Sequence, residues 1–288
     1  MKRSIPLLII LALFNPMAHG QESNEIPSVY LPLLSRLSQE GFDPELLSFL
    51  LSDPRAELNL SMLTVYLNLN SREVPEVYSQ FLTSEQILLS KKFLRENMRT
   101  LVKMERNFQV DKEVVVAILL VESRFGENIG KYRVIPTLAS MALMDSPESL
   151  EKNYLTLKEN NPELTYEWLE GFAKRKANWA YDELKCFLTI IRDESIDPLE
   201  VYGSYAGALG MVQFIPSSYM AFAQSKKGLE NWLLNKEEAI FSIGNYLRSH
   251  GWKGKMTVEK KRKILWYYNH SEPYVETILQ ISQKLRKK

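Results

Sequence analysis

The sequence predicts an all-α protein, and three observations carry that prediction. Apolar residues recur at three-to-four spacing through most of the chain, the period that gives a helix one buried stripe. Helix start and stop signals punctuate these stretches: Asp43-Pro44, Thr83-Ser84-Glu85-Gln86, Asn235 with Glu238, and Gly251. No alternation of the strand period runs for a useful length, and there is neither an internal repeat nor a low-complexity segment.

In chain order, Lys2 and Arg3 precede an apolar run from Ile5 to Phe14 and the small-x-small site Ala18-His19-Gly20, the pattern of an export leader cleaved near Gly20. The mature chain is expected to start near Gln21, without a lipid anchor or a transmembrane helix. Residues 28–70 read as short helices broken at Gly41-Phe42-Asp43-Pro44 and Ser52-Asp53-Pro54. One long helix is expected from Thr83 to about Asn107. The next begins at Asp111, read as its N-cap, and stops at Gly126.

A short helix is expected from Thr137, a polar surface hairpin over 145–170, and a helix from Asn178 to Ile191. Gly203 to Gly210 packs three glycines and two alanines into eight residues, a composition that lets backbone approach a neighbour or a ligand closely. Pro216-Ser217-Ser218 is read as the cap of a helix over 219–224. Further helices are placed from Asn235 to His250, over 258–268, and over 273–285.

Composition narrows the function. The chain has 36 basic and 35 acidic residues, and losing Lys2 and Arg3 with the leader leaves a net charge of −1, so nothing calls for a polyanion such as nucleic acid. With 45% hydrophobic residues it builds its core by packing. The single cysteine, Cys186, forms no internal disulfide and is read as a buried small apolar residue. There is no HExxH, no CxxC pair, no phosphate-binding glycine loop and no Gly-x-Ser-x-Gly elbow. His250 and His270 sit at helix ends by position. No metal or cofactor is expected, and a carboxylate mechanism remains.

Glu122 is the candidate acid. It closes the apolar run that starts at Val114, and a carboxyl group at the end of so apolar a segment is short of water. Burial disfavours the charged form and raises the pKa toward that of a working proton donor. Pairing with Arg124 or Arg133 is the bland alternative. Glycoside cleavage ordinarily takes two carboxylates. The chain offers no convincing second one, because Glu127 follows the helix stop and is expected to face solvent.

Four stretches in fixed order, VESRFGENIGKYRVIPTLASMA from Val121, GSYAGALGMVQFIPSSY from Gly203, GNYLRSHGW from Gly244 and YYNHSEPYV from Tyr267, resemble the lytic murein transglycosylase B family, whose fold is lysozyme-like. The resemblance runs from about Leu34 to the C-terminus. It implies a single catalytic domain over 21–288, with a lysozyme-like core from about 84 and an N-terminal helical subdomain over about 28–83.

It further implies an exported, periplasmic, monomeric enzyme acting on peptidoglycan glycan strands, with recruitment by cell-wall complexes left open. Glu122 matches the family's lone acid, which protonates the bond between N-acetylmuramic acid and N-acetylglucosamine. As carboxylate it then deprotonates the muramyl C6 hydroxyl to give a 1,6-anhydro end. Ser204 and Gln213 match muramyl contacts, Tyr268 and Asn269 line the cleft opposite the acid, and Tyr205 stands as an aromatic sugar platform.

Arg175-Lys176 resembles an Arg-Arg pair that meets saccharide or peptide, with lysine losing the planar fork. The segment Gln224 to Glu230 departs from the acidic calcium loop of many relatives, having two lysines and one acid. Hydrolysis of the same bond, and a non-catalytic murein-binding protein, are the alternatives to lytic cleavage.

Overall fold

The computed structural model describes residues 26–70, 75–192 and 194–287. The export leader expected over residues 1–20 lies outside them. Among the described residues the chain is helical apart from one two-residue strand pair. The N-terminal part holds α1 (Leu31–Gln39), α2 (Pro44–Ser52), α3 (Met62–Asn70) and α4 (Pro75–Ser79). Asp43 caps α2 through the amide of Glu45, and Pro44 fills its first turn, so the turn residues seen in the sequence do the expected work.

The expected helix over 83–107 is two helices, α5 (Ser84–Glu96) and α6 (Met98–Phe108). Thr83 caps α5 as predicted. The break falls at Asn97, whose side-chain amide donates to the Phe93 carbonyl at 2.9 Å, the local competition with helical pairing that asparagine brings. The bend turns Leu101 and Met104 of α6 into the core.

The central helix α7 (Lys112–Ser123) has every side chain from Val114 to Leu120 fully buried. It is enclosed by α5, α6 and two later helices, α13 (Lys236–Ser249) and α15 (Glu272–Arg286). Asp111 stands at its N-terminus but does not cap it with its side chain. Two cations outbid the helix amides, and the Asp111 carboxylate pairs with Lys261 and with Arg286, the latter at 3.1 Å. At the other end α7 stops at Ser123, ahead of Gly126, with Arg124 and Phe125 in left-handed backbone at φ 49° and 63°.

A short strand, β1 (Tyr132–Arg133), leads into α8 (Val134–Ala142) and pairs antiparallel with β2 (Tyr202–Gly203). The hairpin expected over 145–170 is present as α9 (Pro147–Asn160), but its second arm merges into α10 (Tyr166–Ile191), which starts well before Asn178. Thr165 caps it through the Trp168 amide, and Leu169, Ala173 and Ala177 continue the buried stripe of Ala180 and Leu184 back to that cap.

The remaining helices are α11 (Pro216–Phe222), α12 (Leu229–Trp232) and α14 (Val258–Tyr268), with Asn235 capping α13 as predicted. Ser217 is not the cap of α11. The buried Glu183 of α10 reaches across to accept from the Ser217 amide at 2.9 Å and its hydroxyl at 2.8 Å. Cys186 is half-buried on α10 instead of enclosed, and burial with two neighbouring acids raises its thiol pKa.

Candidate active site

The site is built where α7 ends. Three residues in a row, Arg124, Phe125 and Gly126, have positive φ, a conformation that costs energy for the two side chains and persists only where surroundings impose it. Those surroundings are specific. Phe125 stacks on Phe93 of α5 with ring centres 4.3 Å apart. The buried Ser123 donates to the Met211 carbonyl at 2.7 Å and accepts from the Gly126 amide at 3.0 Å. The helix end carrying Glu122 is therefore locked to the glycine-rich loop 203–214.

That loop approaches as closely as its composition allows. A β-carbon on Gly130 would collide with the Gly203 carbonyl, and one on Gly203 would collide with the Ala208 carbonyl. Gln213, itself at φ 52°, ties the loop down by donating to the Ile129 carbonyl at 3.2 Å and the Gly210 carbonyl at 2.9 Å.

Glu122 is partly exposed as a residue, but its carboxyl group is packed among protein atoms. Its pKa is pushed up to about 7, chiefly by burial. The opposing influence is a hydrogen bond from the Tyr274 hydroxyl to Oε1 at 2.7 Å. Neither arginine of the bland alternative is its partner: Arg124 is exposed, and Arg133 donates to the Leu199 carbonyl at 2.9 Å and to Glu200 at 3.2 Å. No salt bridge to Glu122 occurs among the described residues, and Glu127 is exposed as expected.

Tyr274 is the residue that sequence reasoning missed. It lies in the last matching stretch but reads there as an ordinary apolar position of a C-terminal helix. The structure buries it, stacks it on Tyr268 with ring centres 6.3 Å apart and sets Tyr78 of α4 edge-on against it at 6.1 Å. Burial and the nearby Glu122 charge raise the pKa of both Tyr268 and Tyr274 well above the ordinary tyrosine value, so each remains a proton-bearing donor.

Of the predicted binding residues, Tyr268 is near enough to feel the Glu122 charge, and Gln213 ties its loop to Ile129 just past the helix end. Tyr268 spends its hydroxyl on the Val212 carbonyl at 2.7 Å, so its ring is what it offers a ligand. Asn269 terminates α14 beside it, half-exposed, with no side-chain hydrogen bond to a described residue. Ser204 has the local role that its position also allows: Oγ accepts from the amides of Ala206 and Ala208 at 3.2 and 3.0 Å and holds the loop in shape.

Tyr205 packs against Tyr66 of α3 at 6.1 Å. Arg175 is exposed on α10. Its neighbour Lys176 is the more engaged of the pair, with Nζ over the rings of Tyr66 at 5.1 Å and Trp179 at 5.6 Å.

With a buried carboxyl of raised pKa and a phenol donor at the end of α7, the chain as a whole also has known relatives. The profile of the transglycosylase SLT domain matches residues 31–264. The chain belongs to that family. This transglycosylase-domain protein is 32% identical over 176 residues to membrane-bound lytic murein transglycosylase B of Escherichia coli K12, a match covering 60% of this chain and 40% of the relative.

Its fold is similar to that of the Escherichia coli lytic transglycosylase Slt35 in complex with calcium (TM-score 0.70, 22% identity, 92% of this chain and 97% of the other). It is also similar to that of SltB3 from Pseudomonas aeruginosa in complex with NAG-anhNAM-pentapeptide (TM-score 0.66, 16% identity, 91% and 80%). The all-α, lysozyme-like fold class read from the sequence is the one these neighbours share.

Calcium does not fit the segment 224–230 of this family member. Two of the nearby carboxylates each give one oxygen to a loop amide, Glu238 accepting from Lys226 N–H at 3.2 Å and Glu194 from Leu229 N–H at 2.9 Å. Lys226 adds a cation 3.7 Å from Glu237. Among the described residues no group of three or more acidic, histidine or cysteine side chains converges as metal ligands would.

Proposed function

We propose that the protein is a peptidoglycan lytic transglycosylase in which Glu122 alone performs the acid and base steps. The carrying observation is a buried carboxyl at the end of α7 that accepts from the Tyr274 hydroxyl and has no paired cation among the described residues, a setting that pushes its pKa up to about 7. A carboxyl group of that pKa keeps its proton in about half of the molecules at neutral pH, and in that form it gives the proton to the glycosidic oxygen between N-acetylmuramic acid and N-acetylglucosamine and becomes a carboxylate.

The carboxylate then takes the proton of the muramyl C6 hydroxyl as that oxygen bonds to C1. The bond to the leaving sugar is broken, a 1,6-anhydro ring is formed, and Glu122 is protonated again. No second carboxylate is required. Tyr274 holds the charged intermediate form by donating to Oε1. Gln213, Asn269 and the rings of Tyr268 and Tyr205 orient the sugar, with Ser204 shaping their loop and Arg175 meeting the strand farther out. The work is done outside the cytoplasm, on the wall, after export, by a monomer. The resemblance of the four matching stretches, the family membership and the named activity of the Escherichia coli relative support this reading.

The test is turnover of purified sacculi by the wild type and by Glu122→Gln, with mass spectrometry of the products. The expected result is muropeptides one water lighter than their reducing counterparts and resistant to borohydride, and at least about a thousandfold loss in the variant. Reducing muramic ends would establish hydrolysis instead. Equal activity in both proteins would remove Glu122 from the chemistry, and no turnover by the wild type would leave the binding-protein alternative.

A further inference from the structure

Beyond the cleft, the α10 face that carries Arg175 also carries aromatic rings to which the proposed function gives no role. Trp168, Phe172, Arg175, Lys176 and Trp179 fall at i, i+4, i+7, i+8 and i+11, within one face about 100° wide at the helical period. Glu167 and Glu170 project from other faces, so the stripe holds rings and cations without a carboxylate. Trp168 is 50% exposed, at odds with the usual burial of so large a ring, and its indole N–H makes no hydrogen bond to a described residue. Its ring stacks on Phe172 with centres 5.3 Å apart and planes 13° from parallel, which fixes it as a flat platform.

A chain of ring contacts, through the buried Tyr66, links the platform to the candidate site. Phe172 lies 6.2 Å from Tyr66, and Tyr66 lies 6.1 Å from Tyr205 on the loop that wraps the Glu122 helix end. Lys176 stands over Tyr66 at the junction. From Lys176 to Trp168 the helix rises about 12 Å, room for further sugar rings of an extended strand.

We propose that the Trp168–Phe172 platform is a distal subsite that stacks saccharide rings of a glycan strand whose reacting end lies at Glu122. This rests on the proposed function for the nature of the ligand. A sugar presents a flat face of C–H groups to an aromatic ring and keeps its hydroxyl and N-acetyl groups in water, which an exposed, rigidly held indole matches. The neighbouring cations Arg175 and Lys176 suit the carboxylates carried by muramyl rings and their stem peptides. Strand length is thereby sensed far from the bond that breaks.

Binding is measured on Glu122→Gln protein, which does not consume its ligand, with two probes: glycan strands freed of stem peptides from purified sacculi, and the single disaccharide unit. Adding Trp168→Ala is expected to raise Kd for the strands about tenfold and for the disaccharide by less than about twofold. Adding Phe49→Ala, which removes a 60% exposed ring on α2, is expected to change neither.

Unchanged strand affinity on loss of Trp168 overturns the subsite, as does an equal loss for strand and disaccharide or an equal loss in the Phe49 variant. Thermal melts of both variants exclude a folding effect. The two readings fail separately: a wild type that leaves sacculi uncut, beside Trp168-dependent strand binding, removes the lytic chemistry and keeps the subsite.

Discussion

Glu122 and Tyr274 act as one unit although 152 residues separate them. The burial of Glu122 was legible because eight apolar residues end on it, and burial alone forecasts the direction of its pKa. The tyrosine was not, because its contact is made only when α15 folds back along α7, and a tyrosine beside Pro273 carries no sign of what it will meet. The pair yields a pH prediction. In the proposed mechanism Glu122 starts protonated, so kcat/KM is expected to fall as pH rises above about 7.

The Tyr274 bond favours the carboxylate, so removing it raises the Glu122 pKa further. In Tyr274→Phe the falling limb should move to higher pH by about one unit, while kcat drops about ten- to a hundredfold as the carboxylate loses its donor. A pH–rate profile of both proteins checks this. A lower kcat with an unmoved limb would mean that Tyr274 packs the site without tuning the acid.

Among the elements, those whose signals are local were read well and those whose signals are distant were not. Thr83, Asn235 and the Asp43-Pro44 turn cap their helices as their residue types require. The same types misled where a partner from elsewhere intervened: Asp111 gives its carboxylate to Lys261 and Arg286, and α11 takes its cap from Glu183 of α10. The glycine-rich loop was read as a place of close approach, and the approach is to Gly130, at the end of the same segment that carries Glu122.

Gly203→Ala should therefore damage structure and site together. Its β-carbon would meet the Ala208 carbonyl and the Val134 side chain at once, and neither backbone nor buried valine gives way cheaply. A loss of about 2–4 kcal/mol of stability is expected from chemical denaturation. The equivalent change at Gly251, where a β-carbon would meet nothing within 4 Å, should cost only the penalty of its φ of 97°.

At the scale of the whole molecule, the division into an N-terminal helical part and a core describes sequence order better than mechanics. Glu40 of the first part accepts from Tyr181 at 2.9 Å and pairs with Lys185 at 2.8 Å, and Arg36 lies 3.5 Å above the Tyr181 ring. Arg55 joins Asp53 to Asp197 and Glu200, and Tyr78 props Tyr274. The N-terminal part thus packs on the core at several points, and through Tyr78 it also supports the tyrosine that binds the buried Glu122 carboxyl.

How that carboxyl moves stability with pH follows from proton linkage. Between 4.5, the ordinary glutamate value, and about 7, the folded chain keeps a proton at Glu122 that the unfolded chain has released. Stability must then fall as pH rises across that window and level off above it. Glu183, also raised by burial, adds to the same trend. The lowered carboxyls around Arg55 act oppositely, losing their contribution only as pH drops below the ordinary carboxylate range. Glu122→Gln cancels the Glu122 share alone. The variant and wild type should match near pH 4, and the variant should gain about 2 kcal/mol by pH 8, after allowance for the partial exposure of the residue. Paired denaturation curves at the two pH values decide it, because a gap that does not grow with pH would mean that the carboxyl is as well solvated folded as unfolded.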